Sequence, residues 1–267
     1  MGEKKRLDLL VCEKGLADSR QHAQQYIMAG EIFVGGQRVD KPGTAVDVSL
    51  SLEHRGDTCP FVSRGGYKLD KAMHIFPIDL KDAICMDIGA STGGFTDCML
   101  QNGAKKVYCI DVGYGQLDWK LREDPRVVNF ERTNIRYLEP EKIADPVDFI
   151  SIDVSFISLE LVLPVAMRFL RSGGSLVALI KPQFEAGREL VGKNGVVRDA
   201  KVHASVIQKV IGFCREKNWP ISGLAFSPIK GPKGNLEFLL FLSDQPGEVD
   251  VFSVVDAAHQ NLDGDER

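Results

Sequence analysis

The hydrophobic positions change their period twice along the chain. Between Lys5 and Leu52 they fall in short, helix-spaced groups, first Leu7, Leu9, Leu10 and Leu16, then Ala23, Tyr26 and Ile27. Spacings of three and four place such residues on one helix face. Asp18-Ser19 supplies a cap between the groups, and Gly30 stops the second helix. Ile32-Phe-Val34, the turn Gly35-Gly36 and Val39 then read as a hairpin, which Lys41-Pro-Gly43 closes. Glu53 to Pro60 is polar and reads as a linker. Ser63-Arg-Gly-Gly-Tyr-Lys68 opens a further helix through Lys71, Ala72 and Ile75.

From Ala83 the pattern alternates between strand and helix. Strands are predicted at 83–88, 106–111, 126–130, 147–153 and 175–181, with helices between them. Two later apolar runs, 221–226 and 236–242, lie close enough to be antiparallel neighbours. This order predicts an α/β fold, a Rossmann-like doubly wound sheet with an antiparallel last strand, preceded by a small α+β module. Gln183–Asp199 lacks periodicity, carries three glycines and reads as a mobile loop beside the site. The expected division is a front module at 1–58, a linker and leading helix at 59–82, and the sheet domain at 83–267.

At 267 residues, 44% hydrophobic and 26% charged, the composition is that of a globular protein. No apolar run approaches the ~18 residues of a membrane helix. The charged start Met1-Gly-Glu-Lys-Lys-Arg6 leads into no apolar stretch, and Arg6 stands where a myristoylation motif wants Ser or Thr. A cytoplasmic protein without a membrane role is the expectation. The six cysteines form no Cys-x-x-Cys pair, so buried thiols in a reducing compartment are expected and no metal site is implied. Net charge is −4, and the first sixty residues hold eight Lys and Arg against nine Asp and Glu. Any RNA contact must therefore come from a local basic face.

The chemistry concentrates in Asp87-Ile-Gly-Ala-Ser-Thr-Gly-Gly-Phe95, directly after the apolar Ala83-Ile-Cys-Met86. An acid and a glycine-rich turn at the end of a buried strand let backbone amides approach a nucleotide-type ligand. Many strand-to-helix turns need glycine for packing alone. Asp111 at the end of the next strand strengthens the ligand reading, because a carboxylate there can accept from both hydroxyls of a ribose. The glycines run Gly89-x-x-x-Gly93-Gly94 and not Gly-x-Gly-x-x-Gly, which disfavours a pyrophosphate and a nicotinamide oxidoreductase. S-adenosyl-L-methionine fits better, with Asp87 near its ammonium or fixing the turn. Gly89, Ala90, Ser91, Gly93, Gly94 and Phe95 complete the turn, and Thr133 and Asn134 stand where an adenine edge would lie. Asn134 reads equally well as a turn residue.

These residues resemble the TlyA family, often catalogued as hemolysins, whose second domain is similar to FtsJ-like ribose methyltransferases. The resemblance spans nearly the whole chain. Arg6-Leu-Asp8, Gly15-Leu-Ala-Asp-Ser-Arg20, Gly30 and Lys41-Pro-Gly43 are similar to the S-four-type RNA-binding module. Ser63-Arg-Gly-Gly-Tyr-Lys-Leu69, the Asp87–Thr96 turn, Asp111-Val-Gly-Tyr-Gly-Gln116 and Lys181-Pro-Gln-Phe-Glu185 match the methyltransferase part. The resemblance implies a catalytic tetrad of Lys68, Asp153, Lys181 and Glu237, methyl transfer from S-adenosyl-L-methionine to a ribose 2′-hydroxyl, and ribosomal RNA or ribosomal subunits as partner, with a cytidine as acceptor. Physical reasoning supports the grouping: ligands bind at the carboxyl ends of parallel strands, where Asp153 and Lys181 fall, and an antiparallel last strand begins there with Glu237. A lysine ending an apolar strand also needs a buried acid nearby. Lys181 is the expected group that orients or deprotonates the hydroxyl, with Lys68 as a cation able to lower its pKa. Singly, each of the four reads as readily as a surface or capping charge.

In the front module Arg6, Ser19, Arg20, Gln24 and Lys41 are the candidate phosphate contacts. From spacing alone, capping by Asp18 and Ser19 with Arg20 as a surface charge reads equally well; the resemblance favours RNA. Two other classes stay open at this point, a non-catalytic RNA-binding factor and a membrane-acting hemolysin.

Overall fold

The computed structural model describes residues 3–17, 19–28, 30–55 and 59–262, and the chain divides into two compact units, Met1–Pro60 and Phe61–Arg267. Asp18 of the expected cap and Gly56, Asp57 and Thr58 of the expected linker lie outside the described residues.

In the first unit, strand β1 (Lys4–Arg6) runs into helix α1 (Leu7–Glu13), and helix α2 (Arg20–Met28) follows. Ser19 Oγ accepts from His22 N at 3.2 Å and closes the first turn of α2. Gly30 leaves the helix at φ +75°, which glycine adopts without steric cost. The expected hairpin is present as β2 (Ile32–Val34) and β3 (Gln37–Arg38). Lys41–Gly43 does not close the unit, however. Beyond it β4 (Ala45–Asp47) pairs with β1 and β5 (Leu52–His54) pairs with β2, both antiparallel. Glu53 and His54 thus belong to a strand and not to a linker. Strands three residues long hold too few alternations for a period to register. Leu7, Leu10, Val11, Ala23, Ile27, Ile32, Val34 and Val46 form the core of this unit.

The second unit opens with α3 (Gly66–Ile75) and continues β6 (Ile84–Ile88), α4 (Gly94–Gln101), β7 (Lys106–Ile110), α5 (Trp119–Arg122), β8 (Val127–Phe130) and β9 (Val147–Ile152). Then come α6 (Leu159–Ala166), β10 (Leu170–Ile180), α7 (Pro182–Glu185), α8 (Ala200–Glu216), β11 (Ile221–Phe226), β12 (Phe238–Leu242) and α9 (Val251–Leu262). The strands form one sheet in the order β11-β12-β10-β9-β6-β7-β8. Pairing is parallel from β10 to β8, and β12 is antiparallel to both its neighbours. Side-chain alternation splits the core between two faces. Met86, Ile88, Ile150, Ile152, Leu176 and Leu240 face α6, α8 and α9. Cys85, Val107, Phe149, Val177, Leu179 and Phe241 face α3 and α4.

Two expectations need correction. No α-helix joins β8 to β9; the link holds two short 3-10 turns, Ile135–Tyr137 and Pro140–Lys142. Nor is Gln183–Asp199 without structure. It holds most of α7 and two more 3-10 turns, and its far end is tied down where Val197 N donates to Asn235 Oδ1 and Asn235 Nδ2 donates to Gly195 O, both at 2.9 Å.

Candidate active site

The chain runs outward along β6, β7 and β8, then returns to lay β9 against the other side of β6. This reversal opens a crevice at the carboxyl ends of β6 and β9, the place where doubly wound sheets bind ligands. Asp87 and Asp111 lie on one side of it, Asp153 and Lys181 on the other. The register carries Glu237 to the same edge, since Ile180 pairs with Phe238 and the next residue on each strand is Lys181 and Glu237.

Gly89 is the residue the turn depends on. It sits at φ +87°, and a Cβ there would lie 2.5 Å from the Asp153 carbonyl oxygen. A glycine at this point therefore lets the β6 turn lie directly on the β9 turn. Gly94 has a different duty from the expected one: a Cβ would meet Ser63 Oγ at 2.4 Å and Gly66 N at 2.7 Å, so it packs the start of α4 on the start of α3. Phe95 and Ala90 are buried in the apolar cluster between the sheet and α3 and α4. Asp87 is fully buried, accepting from Thr96 Oγ1 at 2.7 Å and Ser151 Oγ at 3.0 Å. Burial raises its pKa to about 6 against the pull of these two hydroxyls. Of its two expected roles, the geometry favours fixing the turn over touching a ligand directly.

Asp111 is half-buried and accepts from Ser91 N and Gly113 N, each at 2.7 Å. Two amides leave a carboxylate with lone pairs to spare, and Ser91 is held at φ +49° by this contact. Thr133 and Asn134 follow β8 as expected. Thr133 Oγ1 donates to Glu131 O, and Asn134 caps the next turn by accepting from Arg136 N at 3.1 Å. The turn reading of Asn134 is thereby the better one. An acidic acceptor at the end of β7 and backbone amides around the β6 turn fit an adenosine-type ligand.

The four charged residues meet in one chain. Lys181 Nζ lies 2.5 Å from Asp153 Oδ1, Lys68 Nζ lies 3.3 Å from Asp153 Oδ2, and Lys68 Nζ lies 2.7 Å from Glu237 Oε2. Ser155 Oγ also accepts from Lys181 Nζ at 3.1 Å. Lys68 and Glu237 are buried, with relative exposures of 7% and 1%. Burial pulls the pKa of Lys68 down, but Asp153 and Glu237 more than reverse it, and the net shift is upward. For Asp153 burial pushes up and the two lysines outweigh it, so the pKa falls. Asp153 thus stands between the two lysines, and Lys68 acts on Lys181 through that anion, not as a bare cation beside it. Gly231 completes the packing, as a Cβ there would sit 2.5 Å from Glu237 Oε1.

Several contributors were not singled out as site residues in the sequence. Ser63, Ser151 and Ser155 are ordinary serines until the fold places them. Asp97 Oδ2 accepts from Val62 N and so docks the segment that leads to Lys68. Glu185 accepts from Ser158 Oγ and Leu159 N, tying α7 to the start of α6. Phe156 follows Ser155 at φ +63°, a strained setting for a bulky residue. It is 88% exposed and lies against Phe184, ring centroids 4.9 Å apart. The two rings are tilted by 50° and Phe184 is half-buried, so the exposed Phe156 ring is the face near Lys181 on which an unstacked base could pack.

In the first unit Arg6, Arg20 and Gln24 converge on the buried carboxylate of Asp8. The turn bearing Lys41 lies next to them, with Leu7 N donating to Thr44 O and Asp8 N to Pro42 O. Ser19 is occupied as the α2 cap.

Residues 61–243 match the model of the FtsJ-like methyltransferase family, and residues 5–51 match that of the S4 domain. The chain is 42% identical over 264 residues to the 16S/23S rRNA (cytidine-2′-O)-methyltransferase TlyA of Mycobacterium tuberculosis, covering 98% of each. It is 52% identical over 269 residues to YqxC of Bacillus subtilis, a candidate rRNA methyltransferase, covering 97% of this chain and 96% of that one. A solved structure of a candidate hemolysin from Streptococcus thermophilus superposes with a TM-score of 0.79 at 46% identity, covering 100% of this chain and 99% of the other. With an S4 domain in front of an FtsJ-like methyltransferase domain and such relatives along nearly its full length, the chain belongs to the TlyA family of methyltransferases.

Proposed function

We propose that the chain transfers a methyl group from S-adenosyl-L-methionine to the ribose 2′-hydroxyl of a cytidine in ribosomal RNA, working in the cytoplasm on ribosomal subunits. The observation that carries this reading is the buried ion chain Lys181–Asp153–Lys68–Glu237 at the switch-point edge. The cytidine-2′-O-methyltransferase activity of the Mycobacterium relative supports the acceptor, and the S4 match supports an RNA partner.

S-adenosyl-L-methionine would supply an electrophilic methyl on a sulfonium. Asp111 would hold its ribose through the lone pairs that Ser91 and Gly113 leave open, with Gly89 and Gly93 shaping the turn and Thr133 and Asn134 beside the base. The acceptor hydroxyl is a weak nucleophile and must be held in line while losing its proton. Lys181 Nζ, steadied by Asp153 and Ser155, is the group placed to orient that oxygen. Only as the neutral amine, after giving up its own proton to solvent, would it take up the hydroxyl's proton at Nζ. Lys68 and Glu237 then act at one remove, since Glu237 holds Lys68 and Lys68 holds the second oxygen of Asp153. Arg6, Arg20, Gln24 and Lys41 would bind RNA phosphates.

Radiolabelled methyl transfer to ribosomal subunits from a strain lacking this protein tests the reading. Wild type should leave label resistant to alkaline cleavage at a cytidine, and Lys181→Ala should leave none. Cofactor binding by wild type without any label in RNA would refute it.

A further inference from the structure

The first unit holds one more acid than base, eight Lys and Arg against nine Asp and Glu, yet it carries the S4 domain. The placement of Asp8 resolves this. Its side chain is 0% exposed and takes donors from three other side chains. Arg6 donates to it through Nε at 3.0 Å and Nη2 at 2.9 Å, Arg20 through Nε at 3.0 Å, and Gln24 through Nε2 at 3.0 Å. Leu9 N adds a fifth bond at 3.1 Å. Arg6 comes from β1, Asp8 and Leu9 from α1, Arg20 and Gln24 from α2, so one carboxylate gathers three elements. The arginines stay 49% and 54% exposed, and most of the five donors on each guanidinium are not engaged by Asp8. Two cations around one anion leave the cluster formally positive. The turn bearing Lys41 is tied to this cluster through Asp8 N donating to Pro42 O.

We propose that Asp8 is a positioning residue for RNA: an internal counterion that locks Arg6, Arg20 and Gln24 into one phosphate-binding set. The inference rests on the reading of the front module as the RNA-binding part. A guanidinium recognises a phosphate through a fixed fork of donors, and a fork already held in place loses little freedom on binding. One acid of the nine is thereby removed from the surface and spent on organising two bases. Arg6 is the largest influence holding the Asp8 carboxyl far below the usual carboxylate range, with Gln24 and Arg20 assisting against burial. The set therefore stays assembled across the working pH range.

The proposal opposes a simple alternative, in which Asp8 merely competes with RNA for the arginines. The two differ in sign. Full-length wild type, Asp8→Asn and Arg20→Lys would be compared by filter binding to ribosomal subunits at several salt concentrations, with methyl-transfer kinetics alongside. Asp8→Asn should weaken subunit binding about tenfold and raise KM by the same factor, leaving kcat and S-adenosyl-L-methionine affinity unchanged. Arg20→Lys keeps the charge but loses the Nε contact, and should lose about fivefold despite lying on an exposed position. Equal or tighter binding by Asp8→Asn, or wild-type binding by Arg20→Lys, would overturn the proposal. If Asp8→Asn unfolds the first unit, Asp8→Glu, which keeps the charge but moves the carboxylate, takes its place. Weaker subunit binding with unchanged kcat is then expected, and wild-type binding would overturn the proposal. A wild-type chain that neither binds nor methylates subunits would defeat the functional reading beneath it, whereas active wild type with unaffected variants defeats the Asp8 proposal alone.

Discussion

Like Glu185, which burial also raises, Asp87 gives the methyltransferase unit a pH dependence opposite to that of most of its shifted acids. Burial lifts its pKa from the ordinary carboxylate value to about 6, with Thr96 and Ser151 opposing. The folded chain therefore binds this proton more tightly than the unfolded chain does. Its stabilising contribution is full at low pH and disappears as pH rises through about 6. The whole contribution is about 3 kcal/mol, and about 2 kcal/mol of it returns between pH 7.5 and pH 4.5. Asp153, Asp124 and Asp145 are shifted downward and act in the opposite direction, so the wild-type curve alone is ambiguous. Asp87→Asn singles out the effect, because Glu185, Asp124 and Asp145 keep the same partners in both proteins. Trp119 and Trp219 are the chain's two tryptophans, and both lie in the second unit, so tryptophan fluorescence in urea follows that unit alone. Wild type should gain about 2 kcal/mol on the variant between pH 7.5 and 4.5. Parallel pH dependence of the two proteins would refute the buried, shifted carboxyl.

Lys181→Ala should reduce turnover by about 10² to 10⁴ while cofactor affinity, read by calorimetry, stays nearly unchanged; loss of folding or of cofactor binding would remove the assigned role. Gly231→Ala alters no charge, but its Cβ would stand 2.5 Å from Glu237 Oε1 and should push that carboxylate off Lys68. Turnover is expected to fall about ten- to a hundredfold with cofactor affinity intact, and an unimpaired variant would show that Glu237 needs no fixed position. Asp111→Ala removes the ribose acceptor and releases the Ser91 and Gly113 amides. Its affinity for S-adenosyl-L-methionine should drop about tenfold or more, and wild-type affinity in calorimetry would discard the assignment.

The sheet domain was legible because each of its strands is an apolar run bounded by turn residues and long enough to count. Three of the four charged residues were legible for a related reason, since Asp153, Lys181 and Glu237 each stand one residue outside a buried strand, whereas Lys68, inside α3, was singled out by the resemblance alone. What escaped has a physical explanation as well. β1, β4 and β5 are three residues each, and no period can be measured over three positions. Gly94 looks like part of a ligand turn because packing glycines and ligand glycines share one requirement, the absence of a Cβ. Only the neighbours Ser63 and Gly66 reveal which applies. Asp8 is the plainest case. In the sequence it weakens the argument for RNA, and in three dimensions it assembles the residues that support one.

The two sides of the crevice are built on different electrostatic terms, and the difference bears on which ligand each side takes. Asp153 and Glu237 are met by lysines, so the acceptor side holds two positive and two negative charges and no formal excess. A neutral hydroxyl can enter such a site without meeting an uncompensated charge. Asp87 and Asp111 are met by hydroxyls and backbone amides, leaving that side formally negative. The proposed cofactor, a sulfonium bearing an ammonium, would complement that charge. Burying four ions costs more than packing apolar residues of similar volume would, so fold stability alone does not account for the lysine side. Its value lies in geometry. Each Lys–carboxylate contact restrains the next, so that Glu237, which need never touch substrate, helps decide where Lys181 Nζ points.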